Sequence, residues 1–193
     1  VLRRLYEWTL RLSAHRHAIW ALALISFAES SVFPVPPDVL LIPMVLAARR
    51  RAWRIAAVCT AASVLGGFLG YGIGAFFFEV LGRPLLEIYN ATETFEEARA
   101  LYNEQGLLIV FTAGFSPIPY KIFTIASGVT GMEPFSFALA SLVGRGARFF
   151  IVAALLWKFG EPILVFIDKH LGKLTLAFAA LLFGGFFLLK FAL

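Results

Sequence analysis

Five ionisable residues stand in stretches that are otherwise apolar: Glu29 and Asp38 in one run, Lys121 in a second, and Arg145 and Arg148 in a third. A charge held in hydrocarbon costs several kcal/mol, so such groups face a protein interior or a wet cavity and take partners there. Lys121, Arg145 and Arg148 are cations suited to an anionic head group, and Glu29 and Asp38 are carboxylates that can accept a proton or a cation. Arg145 and Arg148 are three residues apart and therefore share one helical face. Two readings follow. In one, Asp38 with Lys121, and Glu29 with an arginine, are static ion pairs that fix the fold. In the other they form a transport site. Enzyme chemistry has little to stand on: His15, His17 and His170 are scattered, so no catalytic triad, metal cluster or cofactor is expected.

The rest of the chain indicates what holds these charges. Its residues are 60% hydrophobic and only 15% charged, with a mean hydropathy of +0.84, far from the composition of water-soluble domains. It reads as a single membrane domain over 1–193. The one cysteine, Cys59, lies among Ala, Thr and Val and is expected to be apolar filler, with no disulfide partner in the chain. The net charge of +5 comes from arginines flanking apolar runs, which points to membrane orientation and away from nucleic acid.

Two of the apolar runs are interrupted. In "FAESSVFPVPPDVLLIPM" the prolines Pro34, Pro36 and Pro37 remove backbone donors and push the preceding residues out of helical geometry, so the helix should stop near Phe33. "FSPIPYKIFTIASG" repeats the break with Pro117 and Pro119. Each arm beside a break has about ten to fifteen residues, roughly 15–20 Å at helical rise, against about 30 Å of hydrocarbon. Arginines precede the first run and "RRRAWR" follows it, which puts both ends on the cytoplasmic side and makes the run a re-entrant hairpin. A cleaved signal peptide is the competing reading of the N-terminal run.

The predicted order is an amphipathic interfacial helix at 1–17, a re-entrant hairpin at 18–48 and a transmembrane helix at 55–81. A polar interfacial segment at 82–106, ending at a glycine stop, a second re-entrant hairpin at 107–132 and transmembrane helices at 136–157 and 171–193 complete it. In the span at 55–81, Gly66, Gly70 and Gly74 make a stripe that lets another backbone approach closely.

The two breaks align. "PVPPDVLLI" over "PIPYKIFTI" places Asp38 and Lys121 at equivalent positions, and "LGRP" after the first unit parallels "FGEP" after the second. Units starting on opposite sides of the membrane are inverted repeats, whose broken helices meet near the midplane in many transporters. The fold class expected is therefore all-α and polytopic, with two inverted repeats of hairpin plus transmembrane helix and an extra C-terminal helix. Asp38 and Lys121 are predicted to face each other, and the helices that begin after the prolines point N-terminal amides at the centre, where an anion fits.

"FAESSVFPVPPDVLLIP", "FSPIPYKIFTIASGVTGM" and "GRGARFF" resemble the DedA/VTT membrane proteins of the SNARE-associated Golgi protein family, in particular their YqaA-type bacterial branch, over about residues 18–160. The resemblance implies two opposed re-entrant hairpins, a multi-pass protein of the bacterial inner membrane, and lipid movement across the bilayer. Glu29 and Asp38 match the family's intramembrane acids, and Lys121 stands where many members have arginine. The family's Gly-Arg-Phe before the second break reads Ala113, Gly114, Phe115 here, so one cation is missing, a place Arg145 or Arg148 can take. The expected function is a translocase, flippase- or scramblase-like, for an anionic phosphate-bearing lipid such as polyprenyl phosphate or a phospholipid, with proton coupling. The partners are then membrane lipids and protons or cations, and the N-terminus is cytoplasmic. A small-solute or ion exchanger using the same cavity and a non-transporting envelope scaffold are the alternatives.

Overall fold

A computed structural model describes residues 17–31, 35–89, 91–116, 118–160 and 162. The predicted helix at 1–17, apart from His17, the predicted span at 171–193, and Pro34 and Pro117 lie outside the described residues. The chain divides into two units, Val1–Trp157 and Lys158–Leu193. Among its described residues every regular element is helical.

Helix α1 covers Ala18–Ser31. The Ser31 hydroxyl turns back and shares its one proton between the Phe27 and Ala28 carbonyls, at 3.2 and 3.0 Å. Helix α2, Asp38–Ala47, starts directly after Pro37. A short 3₁₀ turn over Arg49–Arg51 leads into α3, Ala52–Phe77. One wider π-type turn, Phe78–Gly82, carries the helix on into α4, Arg83–Ile88. Arg49–Ile88 is thus 40 residues of continuous helix, apolar enough to cross a membrane, as is the 26-residue Pro134–Phe159.

The second half repeats the plan of helix, break, helix, long helix. Helix α5, Thr92–Phe115, ends before the Ser116–Pro119 break, α6 follows at Tyr120–Thr130 and α7 at Pro134–Phe159. The expected stop at Gly106 and the short first arm of the second hairpin are both corrected: α5 is one rod of 24 residues, about 36 Å at helical rise, against the roughly 15–20 Å expected of an arm. Gly106 is a packing residue, because an added Cβ would stand 3.0 Å from the Met132 sulfur. The predicted 82–106 segment is accordingly shared between the end of the π-type turn, α4 and α5.

Helix α6 does end at a glycine. Gly131 has φ +63°, and the Met132 and Gly131 amides return to the Ser127 and Gly128 carbonyls at 2.9 and 3.2 Å, a left-handed C-terminal cap. Three α5 residues on one face secure that end. Arg99 Nε and Asn103 Nδ2 donate to the Thr130 carbonyl at 2.6 and 3.1 Å, and the Tyr102 hydroxyl lies 3.1 Å from Ser127 Oγ. Helix α7 is capped in turn by Glu133, whose carboxylate accepts from the Phe135 and Ser136 amides at 3.0 and 2.5 Å.

The glycines of α3 seat both broken segments. A Cβ on Gly66 would overlap the Phe27 carbonyl of α1, one on Gly74 the Ile125 carbonyl of α6, and one on Gly70 the Thr124 hydroxyl of α6. Residues four apart lie on one stripe, so α1 and α6 ride side by side on the same face of α3. They also touch directly, with the Thr124 hydroxyl donating to the Ser30 carbonyl at 3.2 Å. Elsewhere the long helices turn Leu65, Leu69, Phe76 and Phe77 (α3) and Leu142, Val143 and Ile151 (α7) outward, the arrangement of helices solvated by lipid. Trp53 at the start of α3 packs on Phe150 and Trp157 of α7, ring centroids 6.2 and 6.1 Å away, beside the exposed Arg49–Arg51 turn, as aromatic and basic residues do at a membrane interface.

Candidate functional site

Helix α7 reaches the two breaks because glycines let it lie against the end of α5. A Cβ on Gly144 would stand 2.6 Å from the Phe111 carbonyl, and one on Gly114 would stand 3.3 Å from the Arg145 amide. This fixes the height of Arg145 and Arg148 on α7 beside the end of α5 and the start of α6.

Arg145 is buried, with 2% of its surface exposed. Its Nη2 donates to Glu29 Oε2 at 2.5 Å and to Ser30 Oγ at 3.4 Å, and its Nε donates to Ser63 Oγ at 2.5 Å. The guanidinium also lies over the rings of Tyr120 and Phe149, at 4.9 and 4.7 Å from their centroids, where the ring quadrupole attracts a cation. Ser30 and Ser63 are themselves 2.6 Å apart across α1 and α3, and the Tyr120 hydroxyl donates to Ser141 on α7. Arg145 therefore joins the last turn of α1, the middle of α3 and the first residue of α6.

Arg148 makes the outer counterpart. Its Nη2 donates to Asp38 Oδ2 at 2.7 Å and its Nη1 to the Ser116 carbonyl at 2.7 Å. Asp38 is the first residue after the first break and Ser116 the first residue of the second, so one guanidinium ties the two interruptions together. The side chains of this pair are 23% and 21% exposed, and Asp38 Oδ1 is buried without a hydrogen-bond partner among the described residues.

Four of the five charges singled out from the sequence thus meet in two ion pairs, both made to α7. The expected pairing of Asp38 with Lys121 is corrected: the cation on Asp38 is Arg148. The physical reason is reach, since α7 is held at the breaks by Gly144 and can present a five-donor fork that bridges a carboxylate and a carbonyl, which an ammonium does less well. Lys121 is half-buried in the first turn of α6. The helix-start amides offered to an anion are partly used, because the Val39, Leu40 and Leu41 N–H groups go to the Pro36 and Pro37 carbonyls. Ser30, Ser63, Ser116 and Tyr120 escaped the sequence reading. The signal they offered was a hydroxyl in an apolar helix, a usual glue between helices in a membrane, which marks a polar contact without naming its partner.

An all-helical scaffold with lipid-facing apolar surfaces and two broken helices closed around one nearly buried and one half-buried ion pair defines a helical membrane protein with a charged centre. The chain belongs to the VTT-domain family, the DedA family: the VTT domain matches residues 35–158. It is 37% identical over 186 residues to a protein of Haemophilus influenzae described as uncharacterized, with 96% of each chain covered. A similarly described protein of Histophilus somni is 40% identical over 151 residues, 78% of each chain. No solved structure matches the chain.

Proposed function

We propose that the protein is a translocase for an anionic, phosphate-bearing lipid in the inner membrane of a bacterium, with the two joined breaks as the place where the head group crosses. The breaks are taken as re-entrant hairpins entering from opposite sides, with the N-terminus cytoplasmic. Lys121, Arg145 and Arg148 set the positive potential that draws the phosphate, and Glu29 and Asp38 are the groups available to protons. Membership of the VTT family fits a membrane transporter of this kind. The observation that carries the reading is Arg148. It is a cation placed between the two interruptions, tied to one by Asp38 and to the other by Ser116, so loosening it loosens both segments at once.

The test is a flip assay in proteoliposomes. Head-group-labelled phosphatidic acid or polyprenyl phosphate, and phosphatidylcholine as the comparison, are followed by loss of the inward-facing pool. The reading expects the phosphate monoester lipid to move faster than in protein-free vesicles and faster than phosphatidylcholine, and expects Lys121→Gln to lower flux more than it lowers the unfolding temperature. Equal rates with and without protein would defeat it.

A further inference from the structure

Arg145 and Arg148 lie one turn apart on α7, yet their surroundings differ in kind. Arg145 spends three hydrogen bonds on Glu29, Ser30 and Ser63 and lies over the rings of Tyr120 and Phe149. Its side chain is 3% exposed. Drawing it away would strand the half-buried Glu29 carboxylate and a buried serine pair together. Arg148 has no ring over it among the described residues, is 23% exposed, and uses only Nη1 and Nη2. A guanidinium carries five N–H donors, so three of them have no acceptor among the described residues. Its carboxylate partner is equally incomplete. A carboxylate and an arginine can make two parallel bonds, but Asp38 gives Arg148 a single oxygen and leaves Oδ1 buried with no donor.

We infer that the two arginines divide the work: Arg148 is the one that exchanges Asp38 for the phosphate of the lipid, and Arg145 is a positioning residue that holds the two breaks together, adding its charge, which Arg145→Lys keeps, to the potential without touching the substrate. The half-made pair has donors for a phosphate oxygen to approach before the Asp38 bond is given up, so exchange proceeds without a bare charge. Asp38 is in this scheme a competitor of the ligand for the same guanidinium. The inference rests on the reading of the protein as a translocase for phosphate-bearing lipids, but binding tests it separately from flux.

The experiment is a titration of the full-length protein in a non-ionic detergent with dihexanoyl phosphatidic acid, and in a parallel arm with inorganic phosphate, followed by the shift in unfolding temperature. Asp38→Asn is expected to bind the phosphatidic acid about tenfold more tightly than wild type, the equivalent of roughly 1.4 kcal/mol. Arg148→Gln should weaken it at least tenfold, with partial recovery in Arg148→Lys. Arg145→Lys should lower the unfolding temperature and leave the affinity within about twofold. If that variant does not fold, Ser63→Ala, which removes one of the bonds holding Arg145, takes its place with the same expectation. A response to inorganic phosphate equal to that of the lipid would assign the site to the free anion and overturn the lipid part of the inference. Asp38→Asn binding no tighter than wild type, or Ser63→Ala weakening binding as much as Arg148→Gln, would overturn the division of labour. Binding that follows the scheme without any lipid flux would sink the translocase reading and leave the exchange at Arg148 standing. Flux with binding indifferent to Asp38 and Arg148 would do the reverse.

Discussion

Removing the negative charge of Glu29 should destabilise the protein far more than removing that of Asp38. Glu29→Gln keeps shape and leaves the Arg145 guanidinium, 2% exposed, without its anion. Breaking a buried ion pair from one side costs about 3–5 kcal/mol, and the surviving contacts to Ser63, Ser30 and two aromatic rings place this case near the low end, at about 3 kcal/mol. For a domain of this size each kcal/mol moves the unfolding temperature by roughly 2–4 °C, so Glu29→Gln should fall by roughly 6–12 °C. Asp38→Asn breaks a pair whose side chains are 23% and 21% exposed, and Arg148 keeps the Ser116 carbonyl. Solvent screening reduces the cost to about 1–2 kcal/mol, between the values for exposed and buried pairs. Thermal unfolding of the purified variants in detergent, followed by tryptophan fluorescence, measures both. An Asp38→Asn loss equal to or larger than that of Glu29→Gln would refute the burial argument.

Gly66→Ala and Gly74→Ala should each destabilise by at least about 1–3 kcal/mol, because the new methyl meets a backbone carbonyl of α1 or α6 that cannot swing away. Gly72→Ala, with nothing within 4 Å of its Cβ position, should be neutral or stabilise by up to about 1 kcal/mol, and unfolding in graded denaturant compares the three. Amide bonds from Ser136 and Phe135 hold the Glu133 carboxyl below its usual range. Its contribution is therefore present above the unfolded-state value near 4.5 and is lost as pH falls through the lower folded value. Unfolding scans from neutral to acid pH should show this loss in wild type and not in Glu133→Gln. With Cys59 replaced by alanine, cysteines placed at His17 and Arg50 should both label from the cytoplasmic side with an impermeant reagent, and labelling from opposite sides would contradict the first hairpin.

The interruptions were legible in the sequence because proline acts locally. The clustered Pro36 and Pro37, and Pro119, disfavour the preceding helix, and α1 and α5 end before them, whereas the single Pro43 is carried inside α2. The charged residues were legible because their apolar context makes each one costly. Their partners were not. Whether Asp38 meets Lys121 or Arg148 depends on the height at which α7 lies against α5, and that height is set by Gly144 against the Phe111 carbonyl, a contact between residues 33 apart that no local pattern specifies. Gly106 misled for a related reason. The same absence of a Cβ serves a helix end and a close helix contact, and only the position of Met132 decides between them. The hydroxyls of Ser30 and Ser63 were hidden in plain composition, since one serine in an apolar helix carries no sign of which neighbour it will bond.

In the proposed mechanism a lipid phosphate comes into contact with Arg148 where the two breaks join. Solid-state NMR of arginine-labelled protein in liposomes containing phosphatidic acid, with dephasing of the guanidinium signals by the lipid phosphorus, measures that contact. Strong dephasing of a single intramembrane guanidinium is expected, lost in Arg148→Gln and kept in Ser63→Ala. Dephasing that persists in Arg148→Gln, or no intramembrane guanidinium within reach of phosphorus, would contradict it.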